Sequence, residues 1–414
     1  MVNAPVEQGR PLTSSQLRRV TADRILRAMK RQSVLTATDL MEATGLSRNA
    51  IHKVCGELVG LGLVTETGLS DDASRGPAGR GRPPRMFSFA ADAGAIVSVD
   101  FGVNTMRACV ADLRGNERGR VMRHVDNPDD IDREQILDEL LTAVLGAAGV
   151  PADRIRVAVV GVPMALSSNV AIHYPAYQRV IDISRRWGRT HGWPVLVEND
   201  ANLAALGERR FGAARSATDV VVLLAGERLG AGIVTRGTLV RGAHASAGEL
   251  RFLSLLPGST PEYVGIGLQA RGLARDALAD GWATEGLRAA VEADDGHIRI
   301  SSIFRTAEAG DSSAMSIVRT VSERLAGLIG VLATILDPAM VVISGGVAEA
   351  GDLLARTTQG LLPSWMIDNP PRIAMSTLGA DAVVAGGISL ALDHLDAHLL
   401  DDLDVPDRAG GPAA

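Results

Sequence analysis

The sequence predicts an α/β protein with a winged helix-turn-helix at its N-terminus, and three observations predict it. Within the first 90 residues, short amphipathic helices lead to a Ser-capped helix and two strand-like runs. Farther on, β-rich runs alternate with helical ones, and this α/β patterning occurs twice. The charge divides at the same place: residues 1–90 hold 13 Lys and Arg against 8 Asp and Glu, while the remainder holds 29 against 40. A basic head on an acidic body, within a net charge of -6, puts a positive field where phosphates are met and keeps the bulk off a polyanion.

Composition bounds the rest. At 414 residues and 46% hydrophobic content the chain builds two or three domains. Aromatics make up 3% while Gly numbers 45, so backbone loops rather than aromatic platforms are expected to carry the chemistry. Two cysteines, Cys55 and Cys109, are too few for a disulfide framework or a cysteine zinc site. The N-terminus lacks a signal-type apolar run and no segment reads as a bilayer span, so a cytoplasmic location with no membrane partner is expected.

In the head, Ile25, Leu26 and Met29 of "TADRILRAMKRQ" share one face of a first helix. The next helix, in "TATDLMEATG", starts with Thr36 and Asp39 at capping-box spacing and stops at Gly45. Ser47 is a good N-cap for the third helix, whose Ile51, Val54, Cys55 and Leu58 repeat at helical spacing and face inward. That leaves Arg48, Asn49, His52 and Lys53 outward, where a recognition helix presents donors to base edges and phosphates. The bland reading is an ordinary three-helix domain whose polar face meets water.

"LGLVTETG" and "RMFSFA" then read as two wing strands, with "GRGRPPR" (79–85) between them. Gly and Pro hold such a strip flat, and the order Arg80-Gly81-Arg82-Pro83 is that of an AT-hook core, whose arginines enter a narrow minor groove. Arg80, Arg82 and Arg85 are therefore candidate DNA contacts beside Ser47 and its helix. The alternative is a solvated linker.

The body opens with "AIVSVDFGVNTMRACVADLRGN": a buried strand, the acidic turn Asp100/Gly102, a second strand and a Gly115-Asn116 hairpin turn. "IRVAVVGVP", "WPVLVENDANLAALGERRFG", "VVVLLAGERLGAGIVTRGTLVRG" and "AMVVISGGVAEAGDLLART" continue the α/β alternation. His244 reads as a loop residue, and the glycines of "SGGV" fit either close approach of a nucleotide or a plain strand-to-helix turn.

In order, the helix-turn-helix, "GRPP", "VDFG", "ENDANLAALGE", "GAGIVTRGTLVRGAHASAGEL" and "VVISGGV" resemble the ROK family of repressors, open reading frames and sugar kinases, over about residues 15 to 395. The resemblance implies a two-lobed actin-like, ribonuclease-H-like sugar-kinase-type domain behind the head. It makes Asp200 the match to the kinases' catalytic base and places Asn199 and Glu249 at positions that bond sugar hydroxyls. A carboxylate capping the helix that starts there also explains Asp200.

The phosphate apparatus departs from the family. Its Asp-x-Gly-Gly-Thr loop reads Asp100-Phe101-Gly102-Val103-Asn104, and its Gly-Thr-Gly-Ile-Gly loop reads Gly226-Glu227-Arg228-Leu229-Gly230. With Gly345 and Gly346 these residues read as a vestigial nucleotide site. The family's zinc segment has become "GELRFLSLLPGSTPEYVG", with Phe252 in place of histidine, no cysteine, and Glu262 as a possible replacement carboxylate. Neither metal nor cofactor is expected.

The resemblance implies a sugar-responsive transcriptional repressor that binds an operator as a homodimer or homotetramer. The alternative is an ATP-dependent sugar kinase with Asp200 as its base. The expected organisation is a disordered arm (1–14), the winged head (15–90), a first lobe (91–200), a second lobe with C-terminal helices (201–398) and a disordered tail (399–414).

Overall fold

The structure is a computed structural model that describes residues 13–67, 85–125, 133–164, 175–226, 229–250, 265–365 and 369–401. The arm to residue 12, Arg80, Arg82, Glu227, Arg228, Phe252, Glu262 and the tail from 402 lie outside the described residues. Two compact units emerge: residues 1–95 with 112–116 and 392–414, and residues 96–111 with 117–391.

The first unit begins with α1 (Ser14–Arg31), closed at its start by a Thr13/Gln16 capping box. After β1 (Leu35–Thr36), the predicted Thr36/Asp39 capping box starts α2 (Ala37–Thr44), and Gly45 stops it at φ 70°. Only a residue that tolerates the left-handed region serves there. Ser47 caps α3 (Arg48–Gly60). The strands β2 (Val64–Thr67) and β3 (Met86–Phe89) pair antiparallel, and β1 adds to the far edge in the order β1-β3-β2. Ile25, Met29, Leu40, Ile51, Leu58 and Phe87 are fully buried, so three helices and one small sheet share a core.

The second unit repeats one pattern in two five-stranded sheets. The first has the order β6-β5-β4-β7-β8, built from β4 (Ala95–Phe101), β5 (Thr105–Asp112), β6 (Glu117–His124), β7 (Ile155–Val162) and β8 (Val195–Asn199). The second has the order β11-β10-β9-β12-β13, from β9 (Val220–Ala225), β10 (Leu229–Thr235), β11 (Thr238–Leu239), β12 (Met340–Ser344) and β13 (Arg372–Met375). Each joins an antiparallel hairpin to a parallel pair. The interior strands β4 and β12 are buried along their whole length because helices cover them.

Around the first sheet lie α4 (Arg133–Ala148) and α5 (Pro175–His191). α7 (Ile266–Ala279), α8 (Glu285–Ala293), α9 (Ile300–Glu308), α10 (Ser312–Leu336) and α11 (Leu353–Leu361) pack around the second. α6 (Asp200–Arg210) carries the chain from β8 to β9, and α12 (Ala382–His398) follows β13. These two helices cross on glycines: a Cβ on Gly207 would lie 2.4 Å from the Ala382 carbonyl oxygen, and one on Gly386 would lie 1.7 Å from that of Leu203. Among the described residues no helix is long and apolar enough to cross a membrane.

Candidate functional site

Two surfaces carry the predicted residues, one in each unit. On α3, the Ser47 hydroxyl accepts the Ala50 N–H at 3.4 Å, and Ile51, Val54, Cys55 and Leu58 are buried. Burial pushes the Cys55 thiol up to about 12, so it stays neutral and unreactive. Arg48, Asn49 and Lys53 are exposed on the opposite face. Arg48 Nη2 donates to Thr38 Oγ1 at 3.4 Å, spanning the turn between the two helices. His52 differs from its neighbours: it is half-buried and its ring stands edge-on to Phe87, with centroids 6.3 Å apart. Exposed Arg85 pairs with Glu66 at 3.2 Å, across the β2/β3 pair.

In the second unit, the end of β8 and the start of α6 form a polar knot. The helix cap falls on Asn199 rather than Asp200: Asn199 Oδ1 accepts the Asn202 N–H at 3.0 Å and its Nδ2 donates to the Met164 carbonyl at 3.2 Å. Asp200, half-buried in the first turn, accepts the Ala201 N–H at 2.8 Å, where the helix dipole favours a negative charge.

Glu198 holds this knot together. Only 5% exposed, it accepts the Asn199 N–H (2.9 Å) and Asn202 Nδ2 (3.0 Å) on one oxygen and Arg241 Nε (2.7 Å) on the other. A buried carboxylate is tolerated because it is paired and fully hydrogen-bonded.

Arg241 opens the loop that ends at Glu249. The Ala231 N–H donates to the Gly248 carbonyl at 3.0 Å, and a Cβ on Gly248, at φ 84°, would fall 1.8 Å from the Ala231 carbonyl oxygen. On the α6 side, a Cβ on Gly232 would lie 2.2 Å from the Ala201 carbonyl oxygen. β10 is thus flanked by the Asp200 turn and by the Glu249 loop, and glycine makes both approaches possible.

Asp100 is the penultimate residue of β4 and is 7% exposed. Arg107 Nη1 lies 3.8 Å from it, and the same guanidinium reaches Asp381 at 4.0 Å. Arg120 also pairs with Asp381. Burial pushes the Asp100 carboxyl up to about 7, with Arg107 opposing the shift and Asp381 adding to it.

The glycines around this region divide by function. A Cβ on Gly102 would sit 2.3 Å from the Thr105 carbonyl oxygen, and Gly345, at φ 88°, would place one 2.9 Å from that of Ala225. On Gly230 it would lie 3.2 Å from Ala201 Cβ. At Gly226 and Gly346 a Cβ meets nothing within 4 Å, so those two leave backbone open to approach.

Residues 96–394 match the ROK family. The chain belongs to the ROK family. The xylose repressor of Bacillus subtilis is 22% identical over 386 residues, covering 91% of this chain and 96% of that protein. A glucokinase of Halalkalibacterium halodurans is 34% identical over 208 residues, covering 47% of this chain and 62% of that protein. A solved ROK family transcriptional regulator, a homologue of the E. coli MLC protein, superimposes with a TM-score of 0.69 at 21% identity over 94% of this chain and 99% of its own. The chain spans less than two thirds of the glucokinase's length. ROK relatives thus include both repressors and sugar kinases, on one sugar-kinase-like α/β fold.

A divalent cation does not fit the Asp100 site. A divalent cation needs oxygen ligands, and here a guanidinium already faces both Asp100 and Asp381. Among the described residues no group of three or more His, Cys, Asp and Glu could hold a metal.

Sequence reasoning missed Glu198, Arg241, Arg107 and Asp381. Glu198 was visible inside "ENDAN", but its partner stands 43 positions away, and no local pattern announces such a pair.

The raised Asp100 value predicts a pH dependence. Between about pH 4 and 7 the folded state keeps a proton that the unfolded state has lost, so stability falls as pH rises through that window. Asp100→Asn should flatten this profile and add about 1–2 kcal/mol at pH 8. Chemical denaturation from pH 5 to 8 checks it, and parallel profiles for the two proteins would contradict it.

Proposed function

We propose that this ROK protein is a DNA-binding transcriptional regulator, a repressor, rather than a sugar kinase. Residues 15–90 act as a winged helix-turn-helix that places Ser47, Arg48, Asn49, His52 and Lys53 at the major groove. Arg80, Arg82 and Arg85 of the wing reach the adjacent minor groove. A carbohydrate or carbohydrate derivative is the effector, held at Asn199, Asp200 and Glu249. The protein works in the cytoplasm as a homodimer or homotetramer, reading a roughly palindromic operator.

The carrying observation is the first unit itself: a three-helix, three-strand fold whose α3 turns Arg48, Asn49 and Lys53 to solvent. A kinase has no use for such a face, and a regulator needs it. The near-full-length coverage shared with the xylose repressor and the MLC homologue supports the same reading. So does the pairing of Asp100 with Arg107, which occupies the position where nucleotide chemistry needs a free carboxylate.

A hydroxyl-rich ligand suits the site, because Asp200 and Glu249 are half-buried carboxylates beside a rigid cap. An effector shifts the operator equilibrium only by its difference in affinity between the DNA-competent and incompetent states.

A coupled ATPase assay across a panel of hexoses and N-acetylhexosamines separates the two readings. The regulator gives no sugar-dependent turnover. Turnover that Asp200→Asn abolishes would overturn the regulator reading in favour of a kinase.

A further inference from the structure

The first unit holds more than the head. It also takes in the β5–β6 turn (112–116) and the chain from 392 onward, both separated from the head in sequence. The contacts that unite them converge on the last turn of α1.

Arg114, in that turn, donates Nη1 to the Lys30 carbonyl at 2.9 Å and Nη2 to the Met29 carbonyl at 3.1 Å. Carbonyls in the last turn of a helix lack intrahelical partners and carry the negative end of its dipole, and a planar guanidinium fork satisfies two at once. The fork is held in place from behind. Buried Asp112 accepts the Arg114 N–H (2.8 Å), the Asn116 N–H (3.0 Å) and Asn116 Nδ2 (3.0 Å), and Gly115 turns the chain at φ 89°.

Two cations lie over the ring of Phe89, at the end of β3. Lys30 Nζ is 5.1 Å and Arg114 Cζ 5.6 Å from its ring centroid. Lys30 also pairs with Asp396 of α12, and Arg19 pairs with Asp401. The head's first helix is therefore gripped at its C-terminus by a preorganised turn, and along its length by Asp396 of α12 and by Asp401 just beyond that helix. A head joined only by a linker would need none of this.

We propose that Arg114 is a positioning residue for DNA binding: it clamps α1 so that paired heads meet paired half-sites at the correct spacing. The proposal rests on the DNA-binding reading. It predicts a loss that depends on the DNA, since the second head of an oligomer binds with an effective concentration set by geometry.

The test uses full-length protein and a genomic fragment recovered by the wild type, trimmed to one half-site or kept as a pair. Arg114→Ala should bind the single half-site within about twofold of wild type and the pair about tenfold more weakly. Arg114→Lys, with the charge but no fork, should fall between. Equal losses on both DNAs, or no loss on either, would overturn the proposal.

Hydrogen exchange provides a readout that needs no DNA. Exchange across residues 25–31 should quicken about tenfold in Arg114→Ala and also in Asp112→Asn, which loosens the turn, while 95–101 stays unchanged. Unchanged α1 exchange in the folded variants would also overturn it. A wild type that recovers no fragment would instead sink the DNA-binding reading, leaving exchange to decide the clamp.

Discussion

Replacing Arg48 and Lys53 together with alanine is expected to weaken DNA binding by about a hundredfold or more, with little change in stability. Both side chains are exposed on α3, and neither belongs to the core that Ile51, Val54, Cys55 and Leu58 form on the other face. Exposed substitutions of this kind usually change stability by about 0.5 kcal/mol or less. Each lost phosphate contact should lower the slope of log affinity against log salt by about one, so the slope divides the two residues between phosphate and base contacts. Fluorescence anisotropy at several salt concentrations reads both quantities. An affinity within threefold of wild type would remove α3 from the interface.

Gly386→Ala is expected to destabilise the second unit by about 4 kcal/mol or more, among the larger effects a single methyl group produces. The added carbon would lie 1.7 Å from the Leu203 carbonyl oxygen and 2.3 Å from the Leu203 carbonyl carbon, both backbone atoms of α6. No rotamer relieves that contact, so α6 and α12 must separate. The Asp200 turn begins α6, and its loosening should follow. Gly360→Ala is the matched control: it adds a methyl to a helical glycine where nothing lies within 4 Å, and should stabilise by about 0.5–1 kcal/mol. Urea denaturation midpoints compare the two. A Gly386→Ala protein as stable as the control would mean that the helices do not cross on this glycine.

Much of the head was legible because its signals are local. The Thr36/Asp39 box, the Gly45 stop and the Ser47 cap each arise within about one turn of helix, the inward residues of α3 within about two, and the structure places all of them as the pattern predicts. The strands β2 and β3 were also legible, whereas β1 is only two residues long and offers no alternation to detect. In the body the α/β pattern was read as occurring twice, and two five-stranded sheets result.

What was not legible is pairing at a distance. Arg107 sits in an alternating strand like any half-buried residue, and its role emerges only when Asp381, 274 positions later, reaches the same guanidinium. Arg114 precedes the Gly115-Asn116 turn, and nothing nearby in sequence says that its fork ends on α1. Asp200 was read as the residue that caps its helix, but the cap is Asn199, whose Nδ2 is tied to the Met164 carbonyl and whose N–H is tied to the buried Glu198.

Capture of genomic DNA fragments by the purified full-length chain at a stated, near-physiological salt concentration tests the central claim most directly. The regulator account predicts one or a few enriched sites with paired, inverted half-sites, whose enrichment disappears when Arg48 and Lys53 are replaced. No enriched site, or enrichment that survives both substitutions, would contradict it.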